Sequence, residues 1–341
     1  MRLPVDGGPR RGARVLRPSR LRDAGPRPDQ VGPDPAPRHG QAADAQRGRR
    51  QRLRCSAVAD AAYDILALDL DGTLLRSDKR IAERDMHAVR EAGRAGVRVV
   101  ICTARPPRSV RPIIEALGLL DAPTPKGDPG VVTINYNGAA IWDVRRSRAV
   151  EHLPIESGLA RGAVESARKA LRDVMVSIEI LDKWYTDKVD VTLHTETSRA
   201  FAPDFVGPLD AFLRVPATKV MFLAQPERLV AVRDALHDRY ARKGLLDLKI
   251  SDDHLFSIIA PGVDKSTALA TLCARLGATQ ERVLAIGDAP NDAKMLEWAG
   301  RGVAVSNAWA EAKNAADEVL TLSNDQCAVA HVIEREILAH T

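Results

Sequence analysis

The sequence predicts an α/β fold: a doubly wound, Rossmann-like parallel sheet interrupted by an inserted α+β module. Three observations carry this expectation. Short apolar runs alternate with amphipathic stretches from Tyr63 to 143, and again from 261 to the end, which is the pattern of βαβ units. From 144 to 260 that alternation fails and strand-like runs follow one another directly. Ahead of Tyr63 there is no periodic apolar pattern.

Taken in order, Ile65-Leu66-Ala67-Leu68-Asp69 reads as a buried strand. The stretch near Ala82 to Ala92 reads as a helix, and Val97 to Cys102 as the next strand. Pro106 and Pro107 open a helix that Gly118 closes, as expected of Pro at a helix start and Gly past its end. Val131 to Asn135 is a third strand. The inserted module reads as a helix (Gly158 to Arg172) and strands at Val174 to Ile180, Trp184 to Thr186 and Lys219 to Ala224. A helix from Glu227 to Arg242 and strands at Leu246 to Ile250 and Leu255 to Ile259 complete it. The βα pattern then resumes with helix Ser266 to Leu276, strand Val283 to Ile286, helix Asp292 to Trp298, strand Val303 to Val305 and a last helix from Gln326. The division is therefore 57–143 with 261–341 as the main domain and 144–260 as the insertion.

The formal charge of +5 sits at the front. Residues 1–56 hold 14 Arg, no Lys and 5 Asp, a net of +9, so the remaining 285 residues carry −4. Rich in Arg, Pro and Gly, this segment reads as disordered. It is an idle tail, or a stretch upstream of a later start such as a non-AUG codon at Val58; with five Asp and two Ser it makes a poor transit peptide. Nucleic-acid binding would rest on this arm alone. Cys55, Cys102, Cys273 and Cys327 form no C-x-x-C pair, which argues against a zinc site or a disulfide framework and for a reducing compartment. No run approaches the roughly 18 apolar residues of a membrane span.

The chemistry-bearing residues stand where strands end, the edge at which open parallel sheets bind ligands. Asp69-Leu70-Asp71-Gly72-Thr73 leaves the first strand. Two carboxylates there can gather a hard cation such as magnesium while one remains free to attack phosphorus. Taken alone, a D-x-D-G is an acidic turn. Thr103 ends the second strand with Arg105 close by; alone, such a Thr is an N-cap. Lys265 begins a helix, where a cation is disfavoured unless an anion is near. Gly287-Asp288-Ala289-Pro290-Asn291-Asp292 follows another apolar strand, although Asp at a helix start is common. Four such features in the order Asp-x-Asp, Thr, Lys, Asp-x-x-x-Asp are not independent accidents.

This set resembles the haloacid dehalogenase superfamily, with DLDGTLL at 69–75, Thr103, Lys265 and GDAPND at 287–292 matching its four motifs. The insertion, Asn137-Gly138-Ala139 and Leu322-Ser323-Asn324-Asp325 are similar to the Cof-type subgroup with a type IIB cap. Departures are Thr103-Ala104-Arg105 for Thr-Gly-Arg, Ser306-Asn307-Ala308 for Gly-Asn-Ala, and Gln326-Cys327-Ala328 for Glu-Asp-Gly. The resemblance implies a Mg2+-dependent phosphatase working through an aspartyl-phosphate on Asp69. Asp71 is then the acid/base, and Thr103 and Lys265 hold the phosphoryl group. Arg105, Asn137 and Asn291 serve as further substrate contacts, and Asp69, Asp71 (through its carbonyl), Asp288 and Asp292 as metal ligands. The cap selects the substrate; Trp184, Tyr185 and Asp187 in it receive no assignment.

A receiver domain also phosphorylates an Asp near a Thr and a Lys, but there an acidic pair precedes the phosphoacceptor and no inserted module has a place. A phosphomutase shares the intermediate; the large cap favours hydrolysis. The expected partner is a small phosphorylated metabolite such as a sugar phosphate, pyridoxal phosphate or flavin mononucleotide. Neither nucleic acid nor membrane is expected, the location is cytoplasmic, and monomer and homodimer both stay open.

Overall fold

The computed structural model describes residues 62–121, 130–193 and 196–340; the expectations for residues 1–56, including Cys55, lie outside them. Strand β1 (Ile65–Leu68) is followed by helix α1 (Glu83–Arg94), β2 (Arg98–Cys102), α2 (Pro107–Ala116) and β3 (Val132–Asn135). The chain then adds β4 (Ala140–Asp143) and β5 (Arg148–His152). Next come α3 (Ser157–Ala170), β6 (Met175–Ile180), β7 (Lys183–Thr186), α4 (Glu196–Ala200), β8 (Phe205–Val206), β9 (Lys219–Leu223), α5 (Pro226–Arg239), β10 (Asp247–Asp252) and β11 (Leu255–Ile259). The remainder is α6 (Lys265–Leu276), β12 (Val283–Gly287), α7 (Ala293–Trp298), β13 (Arg301–Ala304), α8 (Ala310–Ala315), β14 (Glu318–Val319) and α9 (Ala328–Glu336).

Two sheets form. The larger runs β14-β13-β12-β1-β2-β3-β4-β5, parallel from β14 to β3 and antiparallel beyond. Chain order reverses between β12 and β1, so the carboxyl ends of these two central strands flank the switch-point crevice of the α/β fold. β1 and β12 are apolar throughout and fully buried, as strands covered on both faces must be. The smaller sheet runs β10-β11-β9-β6-β7-β8. Val176, Ile178, Val220, Phe222, Phe256 and Ile258 on one face share a core with α3 and α5 residues such as Ala163, Val164, Val232 and Leu236.

One boundary differs from the expectation. The sequence pattern assigned everything from 144 to the insertion, but β5 pairs with β4, so residues 148–152 belong to the larger sheet. β5 is a half-exposed edge strand with a mixed Arg-Ala-Val-Glu-His sequence, which leaves no apolar run to see. α4, β8, α8 and β14 were also not anticipated; each is six residues or shorter.

The hairpin turn of the smaller sheet docks on the larger domain. The Arg108 backbone N–H donates to Asp182 Oδ1 (2.8 Å), and its guanidinium reaches Asp204 Oδ2 (3.0 Å) and the Asp182 carbonyl. The Tyr136 hydroxyl donates to the carbonyl of Leu181.

Candidate active site

Each site residue is presented by the end of an element. Asp69 directly follows β1, and its backbone N–H donates to the Ile286 carbonyl of β12 (3.0 Å). Gly72 takes φ +85°, and a Cβ there would lie 2.2 Å from Asp288 Oδ2, so the loop can pass the second acidic cluster only as glycine. Thr73 Oγ1 donates to Asp288 Oδ1 (2.9 Å), tying the two motifs together. Asp264 caps α6 by accepting from Thr267 N–H (2.9 Å), while Thr267 Oγ1 accepts from Asp264 N–H (3.1 Å). This capping box fixes Lys265 at the first turn of α6.

The Lys265 ammonium is buried and donates to Asp69 Oδ1 (2.6 Å) and Asp292 Oδ1 (2.5 Å). Asp292 Oδ2 accepts from the backbone N–H groups of Asp288 (3.1 Å) and Ala289 (2.9 Å). Carboxylate oxygens of Asp69, Asp288 and Asp292 lie within 4.8 Å of one another. Three buried carboxylates thus face one ammonium. Burial, then the Asp292 charge, holds Asp69 well above the usual carboxylate range against the pull of Lys265. The same two causes push Asp288 to about 6. For Lys265, burial works to lower the pKa, but Asp292 and Asp69 outweigh it and keep the ammonium charged. The all-oxygen donor set and its uncompensated negative charge fit a hard divalent cation such as Mg2+.

Asp71 is two residues from Asp69, yet its carboxylate belongs to a different cluster. It accepts from Arg105 Nε (2.6 Å) and Nη2 (2.5 Å) and from Lys79 Nζ (2.9 Å). Burial raises its pKa, but hydrogen bonds and charge from Arg105 and Lys79 prevail, and the carboxyl is held below its ordinary value. Thr103 is buried at the end of β2, and its Oγ1 accepts from the Arg105 N–H (3.2 Å), leaving the hydroxyl proton for a ligand. It does not cap α2, which starts from Pro106 without a side-chain cap. Asn137 stands at φ 56° after β3, with its N–H on the Thr103 carbonyl (3.0 Å) and its Oδ1 accepting from Asn291 Nδ2 (2.8 Å).

Sequence reasoning missed Lys79 and the part played by Asn307. Lys79 sits in the left-handed region at φ 64°, a strained position that no residue-type pattern signals. Asn307 Nδ2 donates to the Gly72 carbonyl (2.8 Å), and its Oδ1 accepts from Asn324 N–H (2.9 Å), bracing the loop after Asp71.

The model of the haloacid dehalogenase-like hydrolases matches residues 66–333. The chain is 30% identical over 276 residues to the 5-amino-6-(5-phospho-D-ribitylamino)uracil phosphatase YitU of Bacillus subtilis, covering 79% of this chain and 96% of that protein. It is 29% identical over 301 residues to the phosphatase YwpJ of the same organism, covering 79% and 98%. Its structure resembles a haloacid dehalogenase-like hydrolase from Bacteroides thetaiotaomicron with a TM-score of 0.70 at 26% identity, over 80% of this chain and 99% of that one. The chain belongs to the haloacid dehalogenase-like hydrolases, as a Cof-type phosphatase.

Proposed function

We propose that this phosphatase hydrolyses a small phosphorylated metabolite by way of an aspartyl-phosphate on Asp69, with Mg2+ as cofactor. The observation that carries this reading is the buried cluster of Asp69, Asp288 and Asp292 around Lys265 at the switch point. Asp69, Asp288, Asp292 and the backbone carbonyl of Asp71 would hold the Mg2+, which when bound neutralises phosphoryl oxygens.

Asp69 attacks phosphorus in line, oriented by the Lys265 ammonium; the positive charge of Mg2+ held beside it would supply what Lys265 alone does not and favour the ionised carboxylate. Thr103 donates its free hydroxyl proton to a phosphoryl oxygen, Lys265 supplies charge to the same group, and Asn137 and Asn291 line its other side. Asp71 protonates the leaving alkoxide and then takes a proton from the water that hydrolyses the acyl phosphate. In the resting arrangement Asp71 is an anion clasped by Arg105 and Lys79. An arriving phosphoryl dianion competes for Arg105, and the loss of that cation raises the proton affinity of Asp71 at the moment a proton is needed. The substrate class extends from the relatives: YitU acts on a phosphorylated ribitylaminouracil, a small phosphomonoester with a heterocycle.

The experiment is phosphate release from a panel of phosphorylated metabolites with Mg2+, the full chain against Asp69→Asn. Turnover of a few metabolites that vanishes with EDTA and in the variant supports the reading; turnover that survives Asp69→Asn overturns it.

A further inference from the structure

The turn after β3 has a backbone that its residue types do not favour. Tyr136 and Asn137 both stand at φ 56°, and Gly138 follows at φ 105°. Glycine suits its place, since a Cβ there would lie 2.1 Å from the Asp264 carbonyl oxygen. Asn tolerates the left-handed region, but an aromatic residue in it is an outlier that persists only where its surroundings impose it.

The constraint on Tyr136 comes from the inserted module. Its side chain is fully buried and packs with Ala139 and Ala140 and with Ile259, Ala260 and Val263, where the chain returns from β11 to α6. The hydroxyl donates to the Leu181 carbonyl in the β6–β7 turn, and Lys219 Nζ of β9 lies 5.7 Å from the centre of the ring. Lys219 is paired in turn with Glu179 of β6 (3.3 Å). Leu181 is itself at φ 54°, and its N–H donates to Thr218 Oγ1 (2.7 Å), so the acceptor is held as well. The contacts of Arg108 with Asp182 and Asp204 flank this bond.

The other side of the turn belongs to the phosphoryl site. The Tyr136 N–H donates to the Arg105 carbonyl (3.4 Å), as does Asn135 Nδ2 (3.0 Å), and the Asn137 N–H donates to the Thr103 carbonyl (3.0 Å). Asn137 Oδ1 accepts from Asn291 Nδ2 (2.8 Å), one residue before Asp292. A single strained turn therefore touches the loop of Thr103 and Arg105, the loop of Asn291 and Asp292, and the inserted module.

Resting on the assignment of these loops to the phosphoryl site, we propose that Tyr136 is a positioning residue for it. The bond from its hydroxyl to the β6–β7 turn holds Asn137 in the left-handed region and so aims the Asn137 side chain at Asn291 and the phosphoryl group. Docking of the inserted module is thereby a step in assembling the site. Without that bond the backbone at 136 and 137 relaxes toward negative φ, which turns the Asn137 side chain away from Asn291.

Hydrogen exchange on the full chain tests the turn without any chemistry. In Tyr136→Phe, which keeps the ring, the Asn137 and Ala139 amides should exchange about tenfold faster, while those of β1 and β12 stay unchanged. Exchange at 137 and 139 indifferent to the lost hydroxyl overturns the proposal, and so does a rise shared by β1 and β12, which marks a general loosening. A double-mutant cycle in kcat/KM for p-nitrophenyl phosphate tests the route. Tyr136→Phe should cost about tenfold in the otherwise unaltered chain but less than about twofold in Asn137→Gly, where glycine keeps the backbone and the side chain to be aimed is gone. Losses that multiply overturn the route through Asn137. Turnover that survives Asp69→Asn while exchange at Asn137 follows Tyr136 overturns the nucleophile and supports the positioning role; turnover that needs Asp69 with exchange indifferent to Tyr136→Phe does the reverse.

Discussion

Asp69 and Asp71 leave the same strand two residues apart, and their surroundings drive their acidities in opposite directions. Asp69 is enclosed with Asp288 and Asp292 around a single ammonium, short of positive charge. Asp71 faces one guanidinium and one ammonium, with positive charge in surplus. Set by the side chains alone, these directions run opposite to the proposed roles: a divalent cation in the inner cluster would bring Asp69 down to the ionised form, and an anionic substrate drawing Arg105 away would bring Asp71 up. The inner deficit calls for a divalent cation, and the outer surplus draws an anionic substrate.

The largest expected effect comes from removing Asp69, the proposed nucleophile of the inner cluster. Asp69→Asn should cut phosphate release at least about 10^4-fold. Because the change also removes one of three crowded buried charges, its melting temperature in EDTA should rise above that of the unaltered chain. A variant that loses both activity and metal-free stability would show that Asp69 is held mainly as a partner of Lys265, and the contrast between the two clusters would fail.

Metal titration separates the clusters next. At Mg2+ near 100 times its dissociation constant, the chain should gain about 2.7 kcal/mol, read as a rise in melting temperature over EDTA. Asp288→Asn should abolish the gain, whereas Asp71→Asn should keep it, since the Asp71 carboxylate lies outside the triad. With Asp288 near 6, protons compete for its oxygens as the pH falls through that value, so the Mg2+-dependent gain should shrink below pH 6.

How much of this the sequence showed depends on where each residue's signal lies. Asp69, Asp71, Thr103, Lys265, Asp288 and Asp292 were visible as strand-end and helix-start residues, and the structure gathers them at one sheet edge. The alternation of apolar strands and amphipathic helices exposed the parallel sheet for the same local reason. The β4–β5 extension was hidden because an edge strand such as Arg148–His152 needs no apolar run. The Lys79 clasp on Asp71 depends on a left-handed backbone, and an apolar cavity beside Trp184 on which side chains meet across β6, β7 and β9. Neither leaves a mark in local residue order.

On the outer cluster, Arg105→Met should lower kcat/KM about tenfold near neutral pH and shift the acidic limb of kcat, where Asp71 acts as base toward the water that hydrolyses the acyl phosphate. The sign follows from the clasp: a carboxyl held below its ordinary pKa by the guanidinium moves upward when that charge is lost. The limb should therefore move to higher pH. Lys79→Met should move it the same way by less, because the ammonium is half exposed and screened by solvent. An unchanged limb in both variants would place the titrating group elsewhere.

The smallest effect tests whether a raised carboxyl pKa by itself marks the site. Asp85 of α1 is fully buried and pushed to about 6, chiefly by burial, with Oδ1 accepting from the Ala330 N–H of α9 and Oδ2 unpartnered. Among the described residues no cation of the Lys265 kind is bonded to it, and it lies in the packing of α1 on α9. A carboxyl whose folded pKa lies above the unfolded value keeps its proton longer when folded. Stability is therefore lost as the pH rises from about 4 to 6, and the charged form costs on the order of 2–3 kcal/mol above that window. Asp85→Asn keeps an oxygen for Ala330 and removes the charge, so it should flatten this part of the stability profile in denaturant melts at pH 4.5 and 7.5. Its phosphate release should stay within about twofold. If the slope persists, Asp69 and Asp288 become the source of the pH dependence, and it should then vanish on adding Mg2+; if it flattens without touching activity, burial alone accounts for the shift at Asp85, and only the clustering of charge distinguishes the inner site.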